Sequence, residues 1–194
     1  MSGRDGAGVY PKLPRADGGT RAYLLVDGYN IIFAWDELRT LAEDASLEDA
    51  RDRLVRVLAN YQGAKGMPRG SLIVVFDAHK VKGNAGSMQT HGGLCVVYTA
   101  EAETADHFIE RTTANLTRQR YTVTVATSDS LEQVIIMGNH ALRLSARELH
   151  MDVLAAESET RAKADARRPV KNNQMMEHFD EELLDWFEAM RRKT

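Results

Sequence analysis

The chain is predicted to be an α/β protein, a three-layer sandwich around a mostly parallel central sheet with helices added at its C-terminal end, and three observations lead there. The runs "AYLLVD" and "SLIVVFDAH" are short and continuously apolar rather than alternating, which is the pattern of strands covered on both faces. Between them, "SLEDARDRLVRVLANYQ" repeats its apolar residues at three- and four-residue spacing, the signature of an amphipathic helix. Strand and helix then go on alternating through "GLCVVYT", "TADHFIERTTANL" and "YTVTVATSD", as successive βαβ units require.

Taken in order, residues 1–20 are rich in Gly, Arg, Asp and Pro and cannot bury enough apolar area to offset ordering entropy, so they are expected to be a disordered tail. The folded domain is expected over 21–150, with a helical extension over 151–194. Its first strand ends at Asp27, and Asn30 starts the next helix. Ile31, Ile32, Phe33 and Trp35 read as core, and Tyr29 reads as packed rather than catalytic. Ser46 is placed as N-cap of the long helix, whose stripe is Leu47, Ala50, Leu54, Val57, Leu58 and Tyr61, and Gly63 and Gly66 mark its end. The stretch "HKVKGNAGSMQTHGG" is long, polar and glycine-bearing, so it is expected to be a mobile loop near the sheet edge. Thr104 is placed as N-cap of the following helix, and Ser130 with Gln133 and Ser145 with Glu148 fit capping boxes. Near the C-terminus, Met176, Phe179, Leu183, Trp186, Phe187 and Met190 share one helical face, expected to pack on the protein itself.

Composition narrows the function. With 194 residues and 43% hydrophobic content, the chain can bury one substantial core. A formal charge of -3 gives no whole-molecule attraction to polyanions, so nucleic-acid binding would rest on a local basic patch or a docking partner. Cys95 is the only cysteine and lies in a predicted strand, which excludes an intrachain disulfide and a cysteine-based zinc site and suggests a small buried hydrophobe in a reducing compartment. No signal-peptide or membrane-spanning apolar run is present, so a soluble cytoplasmic protein is expected.

The acids are the chemical signal. Asp27, Asp77 and Asp129 each follow a predicted strand, and in a parallel sheet such ends lie along one edge, where open α/β folds bind ligands. Asp106 falls in the first turn of its helix, where a carboxylate is favoured by the helix dipole. Singly, each is more often a turn former or cap than a catalyst. Together they would repel unless a cation or a proton bridged them, and hard oxygen donors without cysteine suit Mg²⁺ or Mn²⁺. The sequence holds no G-x-G-x-x-G, no G-x-x-x-x-G-K-[ST] and no G-x-S-x-G, so dinucleotide binding, a P-loop nucleotide site and an α/β-hydrolase nucleophile are not indicated. Metal-assisted phosphodiester cleavage fits best.

In order along the chain, "LLVDGYNII", "VVFDAH", "ETAD", "ATSD" and "ALRLSAREL" resemble the YacP-like branch of the NYN-domain proteins, which belong with the PIN-like metal-dependent nucleases. The resemblance runs from Tyr23 through Leu149 and implies a PIN-like fold and endoribonuclease activity. At least one bacterial member is thought to cut messenger RNA on the ribosome, so RNA and the ribosome are the implied partners, with no membrane and no nucleotide cofactor. Carried over by motif, Asp27, Asp106 and Asp129 would be the metal-binding acids. Asn30 would orient a carboxylate or touch the metal-bound phosphate. Asp77 also matches, as a ligand, as a support for a ligand, or as a residue shaping the next loop.

Other polar residues are weaker signals. His79 reads as a loop histidine bonded to backbone, and Glu103 and Glu110 as solvated surface. Lys80, Lys82, Arg143 and Arg147 are weak candidates to hold RNA phosphates; Arg118, Arg120, Arg143 and Arg147 form no stripe, and each reads first as a solvated charge. No aromatic motif of the RNA-recognition type is present, so base stacking has no support in the sequence. Two rival readings stand beside the endoribonuclease: a non-catalytic RNA- or ribosome-binding module on the same fold, and a metal-dependent DNA nuclease or phosphatase.

Overall fold

In the computed structural model, which describes residues 22–77, 86–100, 103–128 and 141–167, the apolar runs become a six-stranded sheet. The elements in chain order are β1 (Ala22–Asp27), α1 (Gly28–Ala34), α2 (Asp36–Asp44), α3 (Leu47–Ala64), β2 (Leu72–Phe76), β3 (Ser87–His91), β4 (Leu94–Tyr98), α4 (Ala105–Arg118), β5 (Thr122–Ala126), β6 (Leu142–Leu144) and α5 (Ala146–Arg167). Across the sheet the order is β3-β4-β2-β1-β5-β6, and every pairing is parallel except β3 with β4.

Helices cover both faces, which is why β1, β2 and β4 read as continuous apolar runs. On one face, Leu24, Val26, Val74, Phe76 and Val96 pack with Ile31, Leu38, Leu54 and Leu58 from α1–α3 and with Leu149 and Val153 of α5. On the other, Leu25, Ile73, Val75, Val97 and Val125 pack with Phe108, Ile109 and Leu116 of α4. The α/β/α sandwich with a mostly parallel sheet is therefore as the sequence predicts.

Helix starts follow their caps. Ser46 Oγ accepts from the Asp49 N–H at 3.0 Å, Thr104 Oγ1 from the His107 N–H at 3.2 Å, and Ser145 and Glu148 bond reciprocally as a capping box. Cys95 is buried, and burial pushes its thiol up to about 11, consistent with an inert packed residue.

Two readings are corrected, the loop over Ser87–His91 and the burial of Phe33. Part of the stretch expected to be a loop, Ser87–His91, is an edge strand, antiparallel to β4 and too polar to announce itself. A separate helix, α2, follows α1 because the chain breaks at Trp35, whose backbone is extended. Trp35 itself is core as expected, with its Nε1–H donating to the Ala146 carbonyl at 2.9 Å, but Phe33 is not: it is 46% exposed. The last described element, α5, runs through residue 150 without a break. The tail, the Ser130–Gln133 box and the C-terminal apolar face lie outside the described residues. Among the described residues no helix is long and apolar enough to cross a membrane.

Candidate active site at the carboxyl edge of the sheet

From β1 the chain passes through α1–α3 to β2 on one side of β1; from β4 it passes through α4 to β5 on the other. The strand order thus reverses between β1 and β5, and the crevice at their carboxyl ends is where open α/β sheets place ligands.

Asp27 is the last residue of β1 and also the N-cap of α1, accepting the Asn30 N–H at 3.0 Å. It is only 7% exposed. Burial raises its carboxyl to about 6; the backbone N–H groups of Asn30 and Tyr29 oppose that, while the charges of Asp106 and Asp77 add to it. Both acids thus lie close enough for Asp27 to feel them. Asp77 follows β2 directly, and Asp106 stands in the first turn of α4. A cavity of about 330 Å³ is lined by Asp27, Asp77 and Asp106 together with Asn30, Tyr29, Phe33 and Ala105.

Asn30 closes the switch point. Its Oδ1 accepts the Ser128 N–H at 2.9 Å and, at very short range, the Ser128 hydroxyl, tying the start of α1 to the segment after β5. Two donors on one oxygen fix which end of the amide is which and make its NH₂ the end that can donate to a carboxylate or phosphate. Gly28 serves close packing: a Cβ there would come within 2.2 Å of the Phe76 ring. That ring meets the edge of Tyr29 at 5.3 Å between centroids, and the Tyr29 hydroxyl accepts from Arg51 at 3.2 Å. Tyr29 is therefore packed as expected, yet it lines the cavity.

The other candidates fall elsewhere. Glu103 pairs with Arg111 at 2.7 Å, and Glu110 is exposed on α4. Arg143 and Arg147 are exposed and line no part of the cavity, and Arg118 and Arg120 lie at the far end of α4. Asp129, His79, Lys80 and Lys82 lie outside the described residues. Sequence reasoning missed Ser128 and Phe33; the four-residue spacing of Tyr29 and Phe33, flanking Asn30, was the available signal for the latter.

Whether a cation fits can be judged from the donors. All are hard oxygens, and a carboxylate as buried as Asp27 is costly as a bare anion, so positive charge there would relieve it. Among the described residues, however, no three His, Cys, Asp or Glu side chains stand close enough to hold one ion. Hard oxygen donors of this kind are the ones Mg²⁺ and Mn²⁺ take.

Fold and site define a mostly parallel α/β protein with an acid-lined cleft at its switch point. Residues 24–192 match the YacP-like NYN domain, and the chain belongs to that family. It is 43% identical over 172 residues to a Bacillus subtilis protein named "Uncharacterized protein YacP", covering 87% of this chain and 96% of that one. The crystal structure of Rae1 (YacP) from Bacillus subtilis is similar at a TM-score of 0.64 and 42% identity, over 88% of this chain and 94% of that one. That of a tryptophan-to-leucine mutant of Rae1 gives a TM-score of 0.62 and 39% identity, over 80% and 90%.

Proposed function

We propose that this protein is a divalent-metal-dependent endoribonuclease that cuts messenger RNA, in the cytoplasm and with the ribosome presenting the substrate. The observation that supports it most is the grouping of Asp27, Asp77 and Asp106 around one cavity at the switch point of a chain from a nuclease-type family.

In this reading Asp27 and Asp106 hold Mg²⁺ or Mn²⁺, Asp129 completes the set by motif, and Asp77 binds directly or through water. When bound, the ion would activate water and stabilise the leaving oxygen. The chain's own residues prepare the ground. Asp27 is held by the α1 backbone in one orientation, so little rearrangement is needed at the moment of binding. Asn30, fixed by Ser128, offers its NH₂ to a carboxylate or a phosphate oxygen. The net charge of -3 provides no polyanion attraction, which favours a substrate delivered by a larger assembly over one captured from solution.

The test is cleavage of single-stranded RNA, matched DNA and a small phosphomonoester by purified protein with Mg²⁺ or Mn²⁺, repeated on translating ribosomes. RNA-only, metal-dependent cleavage in either setting supports the proposal. DNA cleavage or phosphomonoester hydrolysis would point to the wider phosphoesterase class. Binding without cleavage in both settings would make the protein a non-catalytic module.

A further inference from the structure

An aromatic side chain with nearly half its surface in water borders the acid-lined cavity. Phe33 is 46% exposed and lines the same cavity as Asp27, Asn30 and Asp106. It stands one helical turn beyond Tyr29 on α1, so the two rings border the cavity from one side. The Tyr29 ring meets Phe76 edge-on and its hydroxyl accepts from Arg51, whereas Phe33 keeps nearly half its surface in water. Ile31 and Ile32, the apolar neighbours of Phe33, are fully buried, so α1 sends those two into the core while Phe33 borders the cavity.

We infer that Phe33 is a stacking platform for one unpaired base of single-stranded RNA, seated next to the phosphate that the acids address. This rests on the nuclease reading above and deepens it by placing a substrate contact. Each base has an apolar face, and stacking on an aromatic ring is the usual way unpaired RNA is held without sequence-specific hydrogen bonds. The cavity's size favours this occupant: about 330 Å³ is at the small end of ligand clefts, suited to a nucleotide and too small for an element of a folded partner. The platform also provides the sequence-tolerant grip that a protein of net charge -3 does not obtain from a basic groove. A base held on Phe33 would set which phosphodiester bond faces Asp27 and Asp106, making Phe33 a positioning residue.

The test uses the full chain and a single-stranded RNA oligonucleotide carrying 2-aminopurine at each position in turn, bound with Mg²⁺ to Asp27→Asn protein so that it is not cut. One position should lose fluorescence on binding. Adding Phe33→Trp should preserve that quenching; Phe33→Leu, which keeps apolar bulk without a ring, should abolish it and weaken binding by at least about 5-fold. In the otherwise native chain, Phe33→Leu should raise KM for RNA or scatter the cleavage positions with the melting temperature unchanged. Equal affinity and equal quenching in Phe33→Leu would overturn the platform while leaving the nuclease reading intact. If the native chain neither binds nor cuts RNA, alone or on ribosomes, the nuclease reading fails and the platform with it.

Discussion

Asn30 and Ser128, 98 residues apart in sequence, are joined by two hydrogen bonds onto the single oxygen Oδ1 of Asn30. The bond spans the gap where the strand order reverses and so couples the first strand-to-helix junction to the end of β5. Asn30→Ala should cost about 1 kcal/mol, since the bonds lie at the exposed edge and the freed Ser128 donors can turn to water. For a chain of this size that is about 2–4 °C in melting temperature. RNA cleavage should fall at least about 10-fold, because Asn30 also lines the acid cavity. A variant that melts early but cuts at the native rate would reduce Asn30 to a strut.

That pairing also marks where sequence reading stops. β1, β2 and β4 were legible because burial on both faces forces continuous apolar runs, and α3 because its stripe recurs at helical spacing. β3 and β6 were not: one is a polar edge strand, the other three largely exposed residues, and neither needs a pattern to stay where it is. Asp27 and Asp77 were legible because strand ends in a parallel sheet share an edge whatever the side-chain details, and Asp106 because it falls in the first turn of a helix whose cap, Thr104, the sequence shows. Ser128 was not, since its partner is set by strand order, which no local spacing records. Phe33 was misread because "NIIFAW" has too short an apolar run to reveal which residue faces away from the core.

Gly28 tests the packing behind the site. Its missing Cβ leaves room for the fully buried Phe76 ring, which also contacts the rings of Tyr29 and Tyr98. Gly28→Ala should destabilise the protein by about 1–3 kcal/mol, because the added methyl overlaps a ring packed inside the core. Thermal unfolding measures this directly. A variant as stable as the native chain would mean that the junction between β1 and α1 adjusts without cost.

The acids should separate from ordinary caps when each is measured twice. Asp106→Asn and Asp77→Asn should change stability by no more than about 0.5 kcal/mol and lower Mg²⁺-dependent cleavage by orders of magnitude. Asp129→Asn should behave alike if its motif role holds. Glu110→Gln, an exposed acid one turn from Asp106 on the same helix, is the control and should cut at the native rate. Loss of stability with cleavage retained would identify any one of these acids as structural.

Asp27 gives the clearest dependence on pH. Its carboxyl keeps its proton up to about pH 6 in the folded chain, against 3.8 for the unperturbed group, chiefly because it is buried. Between those two values the folded state binds more protons than the unfolded one, so stability falls as pH rises. The contribution is complete below about pH 4 and gone above about pH 6, a loss of roughly 2–3 kcal/mol in metal-free protein. Asp27→Asn should remove that slope, because Asn caps a helix as well as Asp and carries no charge; near neutral pH the variant should melt higher than the native chain. A divalent ion competes with the proton for the same oxygens, so added Mg²⁺ or Mn²⁺ should raise the native melting temperature more at about pH 7.5 than at about pH 5. The same ions should leave Asp27→Asn nearly unmoved at both. Melting curves of the two proteins across this range, with and without metal, decide the matter: parallel pH profiles would refute the burial of the Asp27 charge, and equal metal shifts would remove Asp27 from the cation site.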